Sequence, residues 1–273
     1  MKISLSNNLA ASCGLALALT VSACGPAPSP DSASPKSILF GNHSQPELMP
    51  AINEDTFNQI ADLAFKFHKD QIKAAGDIFT LYKLWKNDTV SSKASRNPEN
   101  HKTYVALYGG FARGKNIVPE AFALVACHEF SHLYAGPPYY RGYERLSAEG
   151  NCDYVGAGPC LHFVLDSLPS SVDVAHESSG TIRERCSMYP ANTTAYSHCV
   201  RGMNGAISLT SLLSTLNEEH SAPRLETPDP TVVQETELSY PKTVQCRLDT
   251  ISNALLGKPR PLCWFNPNQP LVR

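Results

Sequence analysis

Two histidines and a glutamate form the cluster of residue types best suited to chemistry. Residues 127–132 read Cys-His-Glu-Phe-Ser-His, so His128 and His132 stand four positions apart. On a helix these positions share one face, and both imidazoles can reach a single metal ion. Glu129 lies beside the first histidine, where it can act as general base toward a metal-bound water without ligating the metal. The spacing therefore predicts a catalytic metal site, the alternative being a helix that merely contains these residues.

A second pair of residues offers the third ligand. Glu149 and Asp153 follow His132 by 17 and 21 positions and are themselves four apart. In isolation such a pair is usually a solvated helix surface, but zinc takes nitrogen and oxygen donors in a tetrahedral site with one open position. We expect Glu149 to complete the site with the two histidines and to hold one zinc per chain. We expect Asp153 to hydrogen-bond the outer nitrogen of a ligating histidine, His128 above all.

The combined pattern, His-Glu-x-x-His followed by Glu-x-x-x-Asp, resembles the signature of gluzincin peptidases. Over about residues 103–265, the flanking segments are similar to the branch containing HtpX, the CAAX prenyl endopeptidases and their soluble periplasmic lipoprotein relatives. The resemblance implies a zinc metalloendopeptidase that hydrolyses peptide bonds of proteins. It also implies a small antiparallel sheet that packs on the active-site helix.

The same resemblance assigns a substrate-binding role to residues 108–113, Tyr-Gly-Gly-Phe-Ala-Arg. They precede the active-site helix at the point where the family has an edge strand that pairs with substrate. Gly109, Gly110 and Phe111 are therefore expected to bind substrate.

Two residues near the C-terminus acquire roles by the same resemblance. Residues 239–241, Ser-Tyr-Pro, and Arg247-Leu248 are similar to the family's Thr-His-Pro and later Arg-Ile, although Tyr240 stands where a histidine is usual. Tyr240 would donate a hydrogen bond to the oxyanion of the tetrahedral intermediate. The alternative is a partly buried tyrosine ahead of a helix. Arg247 would orient the site, or simply pair with Asp249 or Glu149.

The elements that must hold these residues follow from hydrophobic periodicity. Apolar residues at helical spacing predict a helix over 56–74, with Asp55 as its cap, and Pro119 suits the first turn of a helix to about Ala135. Further helices are expected over 144–156, around Leu209–Leu216 and over 242–256, and strands over 78–85, near 89–93 and over 104–111. The glutamate helix contains Gly150 and Gly156, which are poor helix formers. This order of elements predicts an α+β fold.

The N-terminus has the features of an export signal. Lys2 precedes a largely apolar run, residues 9–23, which is too short to cross a bilayer. Val-Ser-Ala-Cys at 21–24 resembles the bacterial lipoprotein processing box, with Cys24 as the acylated residue. An ordinary signal cleaved near Ala23 is the alternative. We expect a signal peptide over 1–23, a proline- and serine-rich tether over 24–50 and one domain over 51–273.

This layout predicts a lipoprotein of the bacterial envelope, and Gly25 rather than Asp after the lipidated cysteine favours the outer membrane, facing the periplasm. An oxidising compartment favours disulfides among the seven cysteines left after Cys13 and Cys24. On sequence proximity the first pairs to expect are Cys186 with Cys199 and Cys246 with Cys263. Seven is odd, so at least one thiol stays free or bridges chains. The remaining cysteines are Cys127, Cys152 and Cys160.

Cys127 and Cys152 stand beside the predicted ligands, so a thiolate ligand is an alternative, although a core or disulfide role is favoured. The net charge of −2 argues against a nucleic-acid partner, which would require a basic face. The expected partners are a protein or peptide substrate and, through the lipid anchor only, a membrane. Two other functions stay open: a zinc-binding but inactive assembly factor, and a disulfide-braced structural lipoprotein. An intact Glu129 favours the enzyme over the first.

Overall fold

The computed structural model describes residues 52–140, 144–172, 174, 179–219 and 221–269. The predicted signal peptide, the tether and Cys24 lie outside these residues. Within the described part of the chain, no helix combines the length and the apolar character needed to span a bilayer.

Helices and a small sheet alternate along the first half of the chain, and helices alone follow, which confirms the α+β prediction. The elements in chain order are α1 (Glu54–Ala75), β1 (Ile78–Leu84), β2 (Ser92–Asn97), β3 (Lys102–Tyr108), α2 (Gly109–Ala112), α3 (Pro119–Tyr134), α4 (Glu149–Val155), an irregular π-helical segment (Gly156–Cys160), α5 (Leu161–Ser167), α6 (Gly180–Cys186), α7 (Thr194–Leu216) and α8 (Val244–Leu255).

The paired histidines lie on α3, the central helix of the molecule. Pro119 starts it at a position whose N–H would have no intrahelical partner. All its residues from Glu120 to Leu133 are buried. A helix that is buried on every side belongs in a core, and α3 accordingly packs against α1, β2, α4 and α7. Its length and position agree with the sequence prediction.

The long helix α1 covers one side of α3. Its buried face repeats at helical spacing, as predicted: Phe57, Ile60, Ala61, Ala64, His68 and Ile72. The predicted cap at Asp55 is wrong, because the side chain of Asn53 accepts the hydrogen bond from the Thr56 amide. Asp55 instead places its negative charge in the first turn, near the positive end of the helix dipole.

The sheet is mixed, so the expected antiparallel sheet is wrong in part. Its strand order is β1-β3-β2, with β3 antiparallel to β2 and parallel to β1. The hairpin between β2 and β3 is short, whereas residues 85–91 carry the chain from one edge of the sheet to the other. Strand propensity marks which residues are extended but does not decide which strands pair.

The prediction of a strand over 104–111 fails at its end. After Tyr108 the chain turns into the short helix α2. Gly109 allows this turn because a Cβ there would collide with the carbonyl oxygen of Trp85. The glutamate helix also begins later than predicted, at Glu149, since Tyr139 and Ser147 form an antiparallel bridge before it. The helices α5 and α6 were not predicted.

Three disulfides brace the helices of the described chain. The predicted pairs Cys186–Cys199 and Cys246–Cys263 are both confirmed. The third, Cys127–Cys160, joins α3 to the end of the π-helical segment. Cys152 is left as a buried free thiol, which accounts for the odd number of cysteines.

Candidate metal centre

The close packing of α4 and the chain after it on α3 brings the predicted ligands together. α3 supplies His128 and His132, and α4 supplies Glu149 at its first position. The chain that continues from α4 approaches α3 very closely at Gly156, where a Cβ would lie 3.0 Å from the backbone nitrogen of His128. Glycine at this position permits the approach.

Two imidazole nitrogens and a carboxylate converge between the helices. Nε2 of His128 lies 3.1 Å from Nε2 of His132 and 3.1 Å from Oε2 of Glu149. Nε2 of His132 lies 3.5 Å from Oε1 of Glu149. Each of the three side chains is only 4% exposed. The three side chains that the sequence predicts as metal ligands thus lie together in the structure.

The outer nitrogens of the two imidazoles fix their tautomers. Nδ1 of His128 lies 2.8 Å from Oδ1 of Asp153, and Nδ1 of His132 lies 2.9 Å from the carbonyl oxygen of Ser147. Both partners accept hydrogen bonds, so each Nδ1 donates. A neutral imidazole that donates from Nδ1 presents a lone pair at Nε2. With both rings neutral, two lone pairs and a carboxylate therefore face one another, an arrangement that could bind a metal ion or a proton on His128.

The pKa values of His128 and Glu149 also indicate that this site favours a positive charge. Burial alone would lower the pKa of His128, but the carboxylates of Asp153 and Glu149 outweigh it and raise the pKa to about 9. Burial would raise the pKa of Glu149, yet the two histidines hold it below its usual value. Burial lowers the pKa of His132. A proton on His128 here supplies the positive charge that a metal ion would otherwise provide.

The thiol of Cys152 lies beside Nδ1 of His132. His128, His132 and Cys152 form a buried group that could bind a metal ion, with potential ligand atoms all within 4.8 Å. Sγ of Cys152 is 3.2 Å from Nδ1 of His132, the nitrogen already bonded to Ser147. Burial, with the nearby carboxylate of Glu149, raises the pKa of this thiol. Cys152 is thus a second candidate for the third ligand, and it lies on the Nδ1 side of the His132 ring.

Glu129 is a buried residue of the site whose side chain lacks hydrogen-bond partners. It is fully buried, and neither carboxylate oxygen has a hydrogen-bond partner among the described residues. Burial raises its pKa to about 8, Glu149 adds to the rise and His128 opposes it. A carboxylate without partners is costly to bury. Beside converging ligands, it can bind a water or a substrate group at the same point.

A buried ion pair between Asp153 and Arg247 holds the His128 ring in place through its Nδ1 atom. Nε and Nη2 of Arg247 donate to the two oxygens of Asp153 at 2.7 and 2.6 Å. Burial alone would raise the pKa of Asp153, but Arg247 and His128 hold it well below its usual range. The alternative that Arg247 simply pairs with Asp249 or Glu149 is wrong, because α8 brings it to Asp153. A two-point contact on Asp153 orients the oxygen that bonds His128.

Tyr240 lies at the rim of the site. It is 39% exposed, yet burial and the charge of Glu149 raise its pKa, with a smaller contribution from Glu129. The phenol is therefore a proton-bearing donor near the ligands.

The predicted edge strand is not where the family resemblance puts it. Gly109, Gly110 and Phe111 form the buried helix α2, and the strand before them, β3, is the middle strand of the sheet. These three residues therefore have no strand edge to offer a substrate. Of the two edge strands, β2 packs more extensively on α3, while β1 contacts it through Phe79 and Phe130.

Three contributors to the site were not foreseen as such. The Ser147 carbonyl belongs to the backbone and leaves no signal in residue type. The pairing of Arg247 with Asp153 joins residues 94 positions apart. Only the disulfide beside His128 had a signal, because an odd cysteine count left Cys127, Cys152 and Cys160 to be matched.

The histidines without metal-like spacing form no comparable centre among the described residues. His68 on α1 is buried against Phe130 of α3, and His162 stacks on His198, which hydrogen-bonds Asp166. His43, His176 and His220 lie outside the described residues.

Comparison of the chain with protein-family models, curated proteins and solved structures finds no match in any of the three.

Proposed function

We propose that this chain is a zinc-dependent endopeptidase that hydrolyses peptide bonds of proteins in the bacterial envelope. The observation that carries the proposal is Glu129, a buried carboxyl group without hydrogen-bond partners among the described residues, beside two converging imidazoles and a second carboxylate. A purely structural metal site does not require a buried carboxyl group without hydrogen-bond partners. A hydrolytic site needs it as a general base.

His128, His132 and Glu149 are the proposed zinc ligands. Bonds of 2.0–2.1 Å to a tetrahedral zinc place neighbouring ligand atoms about 3.3–3.4 Å apart. The two Nε2 atoms lie 3.1 Å apart, and each has one carboxylate oxygen of Glu149 near this distance, Oε2 at 3.1 Å from His128 and Oε1 at 3.5 Å from His132. Cys152 fits less well, because its thiol lies beside Nδ1 of His132 and that nitrogen already donates to Ser147. When bound, the zinc would acidify a water and polarise the substrate carbonyl.

The chain's own residues then have separate tasks. Glu129 takes the proton from the attacking water and returns it to the leaving amine. Tyr240 donates its phenolic hydrogen to the carbonyl oxygen as negative charge develops there. Asp153 and Arg247 hold the His128 ring in the tautomer that leaves Nε2 free. Strand β2 is an edge strand next to α3, and its less buried end, residues 95–97, would pair with an extended peptide.

Export and lipidation at Cys24 belong to the same proposal and rest on the sequence of the N-terminus. A tether over 24–50 would let the peptidase reach proteins near the membrane to which it is anchored.

The test combines metal analysis with proteolysis. Purified full-length protein should contain one zinc per chain and should cleave unfolded envelope proteins. A chelator should abolish cleavage, and added zinc should restore it. A protein that folds without zinc and is indifferent to the chelator would contradict the proposal.

A zinc-binding lipoprotein without catalysis is the second candidate. It is favoured by the low exposure of the ligand side chains, each only 4% accessible. In that case zinc would be present at one per chain, and no cleavage of unfolded proteins or peptides would be detected.

A further inference from the structure

The three disulfides differ in what they hold. Cys127 directly precedes His128 on α3, and Cys160 ends the segment that continues from α4. This bond therefore ties the histidine helix to the chain that carries Glu149. Cys186–Cys199 joins α6 to α7, and neither helix supplies a residue to the metal centre.

The glutamate helix has little stability of its own. α4 has seven residues, and Gly150 is its second. The segment after it contains Pro159 and a non-helical backbone conformation at Gly158. Short isolated helices are marginal in water, and glycine weakens them further. The positions of Glu149 and Asp153 must therefore be set by contacts with other parts of the molecule.

One set of contacts comes from residues 258–265, which we call the C-terminal strap. The Trp264 ring lies against Gly150, where an added Cβ would be 2.4 Å from the indole. Arg260 donates to Oδ1 of Asn151 from Nη2 at 2.8 Å, and the Tyr154 hydroxyl donates to the carbonyl of residue 258 at 2.6 Å. The strap thus contacts three residues of α4.

The strap is fixed in turn by the disulfide Cys246–Cys263. Cys246 lies on α8 one position before Arg247, the partner of Asp153. Two disulfides thus converge on α4, one from α3 and one from α8 through the strap.

We propose that Cys127–Cys160 and Cys246–Cys263 are positioning elements of the metal centre, so that tight metal binding requires the oxidised protein. The inference rests on the proposed metal site. Reduction would give each pair two electrons and two protons, leaving two thiols, and would release α4 from α3 or from the strap. The chain would then acquire its metal only after it has reached an oxidising compartment.

Three double variants of the full-length protein test the proposal: Cys127→Ala with Cys160→Ala, Cys246→Ala with Cys263→Ala, and the control Cys186→Ala with Cys199→Ala. Each loses one cross-link, so all three should melt at lower temperature. Zinc affinity, measured by competition with a chromophoric chelator, should fall at least tenfold in the first two. In the control it should stay within twofold of wild type. Equal affinity in all four proteins would overturn the proposal.

A second measurement covers a variant that fails to fold. Zinc-loaded wild-type protein is treated with a trialkylphosphine, which reduces a disulfide with the uptake of one water and becomes the phosphine oxide. Zinc release is followed with the chelator, while mass spectrometry after alkylation identifies the reduced pairs. Release should accompany reduction of either site disulfide and not reduction of Cys186–Cys199. Zinc retained after both site disulfides are reduced would refute this inference alone, whereas an oxidised wild type without zinc would refute the proposed function as well.

Discussion

The role of Glu129 can be tested separately from that of the metal ligands because neither of its carboxylate oxygens has a hydrogen-bond partner among the described residues. Glu129→Gln preserves the size of the side chain and leaves His128, His132 and Glu149 intact. We expect zinc content to stay near one per chain while peptide hydrolysis falls by about a hundredfold or more, the effect of losing a positioned base. Zinc analysis and a peptide assay on the same preparation measure both. Glu99→Gln, an exposed glutamate, is the control, and an active Glu129→Gln enzyme would rule out the assigned role.

Tyr240 has a narrower role, confined to the hydroxyl. Tyr240→Phe keeps the ring at the rim and removes only the donor whose pKa Glu149 and burial raise. We expect kcat to fall about tenfold to a hundredfold with KM and zinc content nearly unchanged, because the hydrogen bond is made to charge that develops in the transition state. Unchanged kcat would return Tyr240 to a packing role.

Asp153 tests how far the buried ion pair controls the metal. In Asp153→Asn, the guanidinium of Arg247 stays buried opposite a neutral amide, and His128 loses a charged acceptor. We expect zinc affinity to fall about tenfold to a hundredfold and the free energy of unfolding to fall by on the order of 3 kcal/mol. Competition with a chelator and urea titration measure the two quantities.

Asp166 provides the matched control for Asp153. It also bonds a histidine, His198, at 2.9 Å, but its side chain is 57% exposed. Asp166→Asn should change neither zinc affinity nor stability appreciably. If both substitutions behave alike, burial of the Asp153 network has no special role.

The site could be predicted from the sequence to the extent that it is local. A spacing of four places two side chains on one helical face, and this rule pairs His128 with His132 on α3 and Glu149 with Asp153 on α4. Contacts that depend on tertiary packing were beyond it. The Ser147 carbonyl reaches His132 only through a bridge between Tyr139 and Ser147, and Arg247 finds Asp153 only because α8 packs against α4.

At the scale of elements, strong periodicity gave α1 and α3 nearly to the residue, and weak or mixed signals failed. Residues 104–108 and Phe111 are apolar or aromatic, so apart from the two glycines between them nothing in their types separates β3 from α2. The difference arises at Gly109 and Gly110, where the backbone passes so close to residues 85–89 that no side chain fits. Parallel pairing of β1 with β3 also has no signal in residue type.

The crossing of α3 with the chain after α4 gives a prediction at this scale. A Cβ in Gly156→Ala would lie 3.0–3.1 Å from backbone atoms of Cys127 and His128, and a backbone cannot rotate away as a side chain can. The two segments must separate by a few tenths of an ångström, which should cost about 1–3 kcal/mol of stability and weaken zinc binding. Thermal melting and zinc competition detect both effects.

Gly180→Ala is the control for Gly156→Ala. Gly180 opens α6, and nothing lies within 4 Å of a Cβ added there. This substitution should leave zinc affinity unchanged and should leave stability equal or slightly raised. A harmless Gly156→Ala would show that the helix crossing is less tightly set than the backbone distances indicate.

At the scale of the whole molecule, His68 links stability to pH. It is 4% exposed between α1 and α3, stacks on Phe130 at 4.8 Å, and burial lowers its pKa from 6.5 to about 4. The ionisable neighbour that faces it is Tyr134, at 6.0 Å. As pH falls, the unfolded chain takes up this proton first. The free energy of unfolding is therefore unaffected by His68 above about pH 6.5, and it falls progressively as the pH is lowered toward 4.

The resulting prediction concerns a difference between two proteins, both kept metal-free with a chelator so that zinc release does not contribute. Between pH 7 and pH 5, His68→Phe should lose roughly 2 kcal/mol less unfolding free energy than wild type, because Phe cannot take up the proton. Urea titration at the two pH values measures this difference whatever the variant's stability at neutral pH. His101→Asn, which replaces an exposed histidine at a positive φ that asparagine tolerates, should retain the wild-type pH dependence. Equal pH dependence in all three proteins would mean that His68 takes up its proton as easily in the folded chain as in the unfolded one, and that the contact between α1 and α3 admits charge or water.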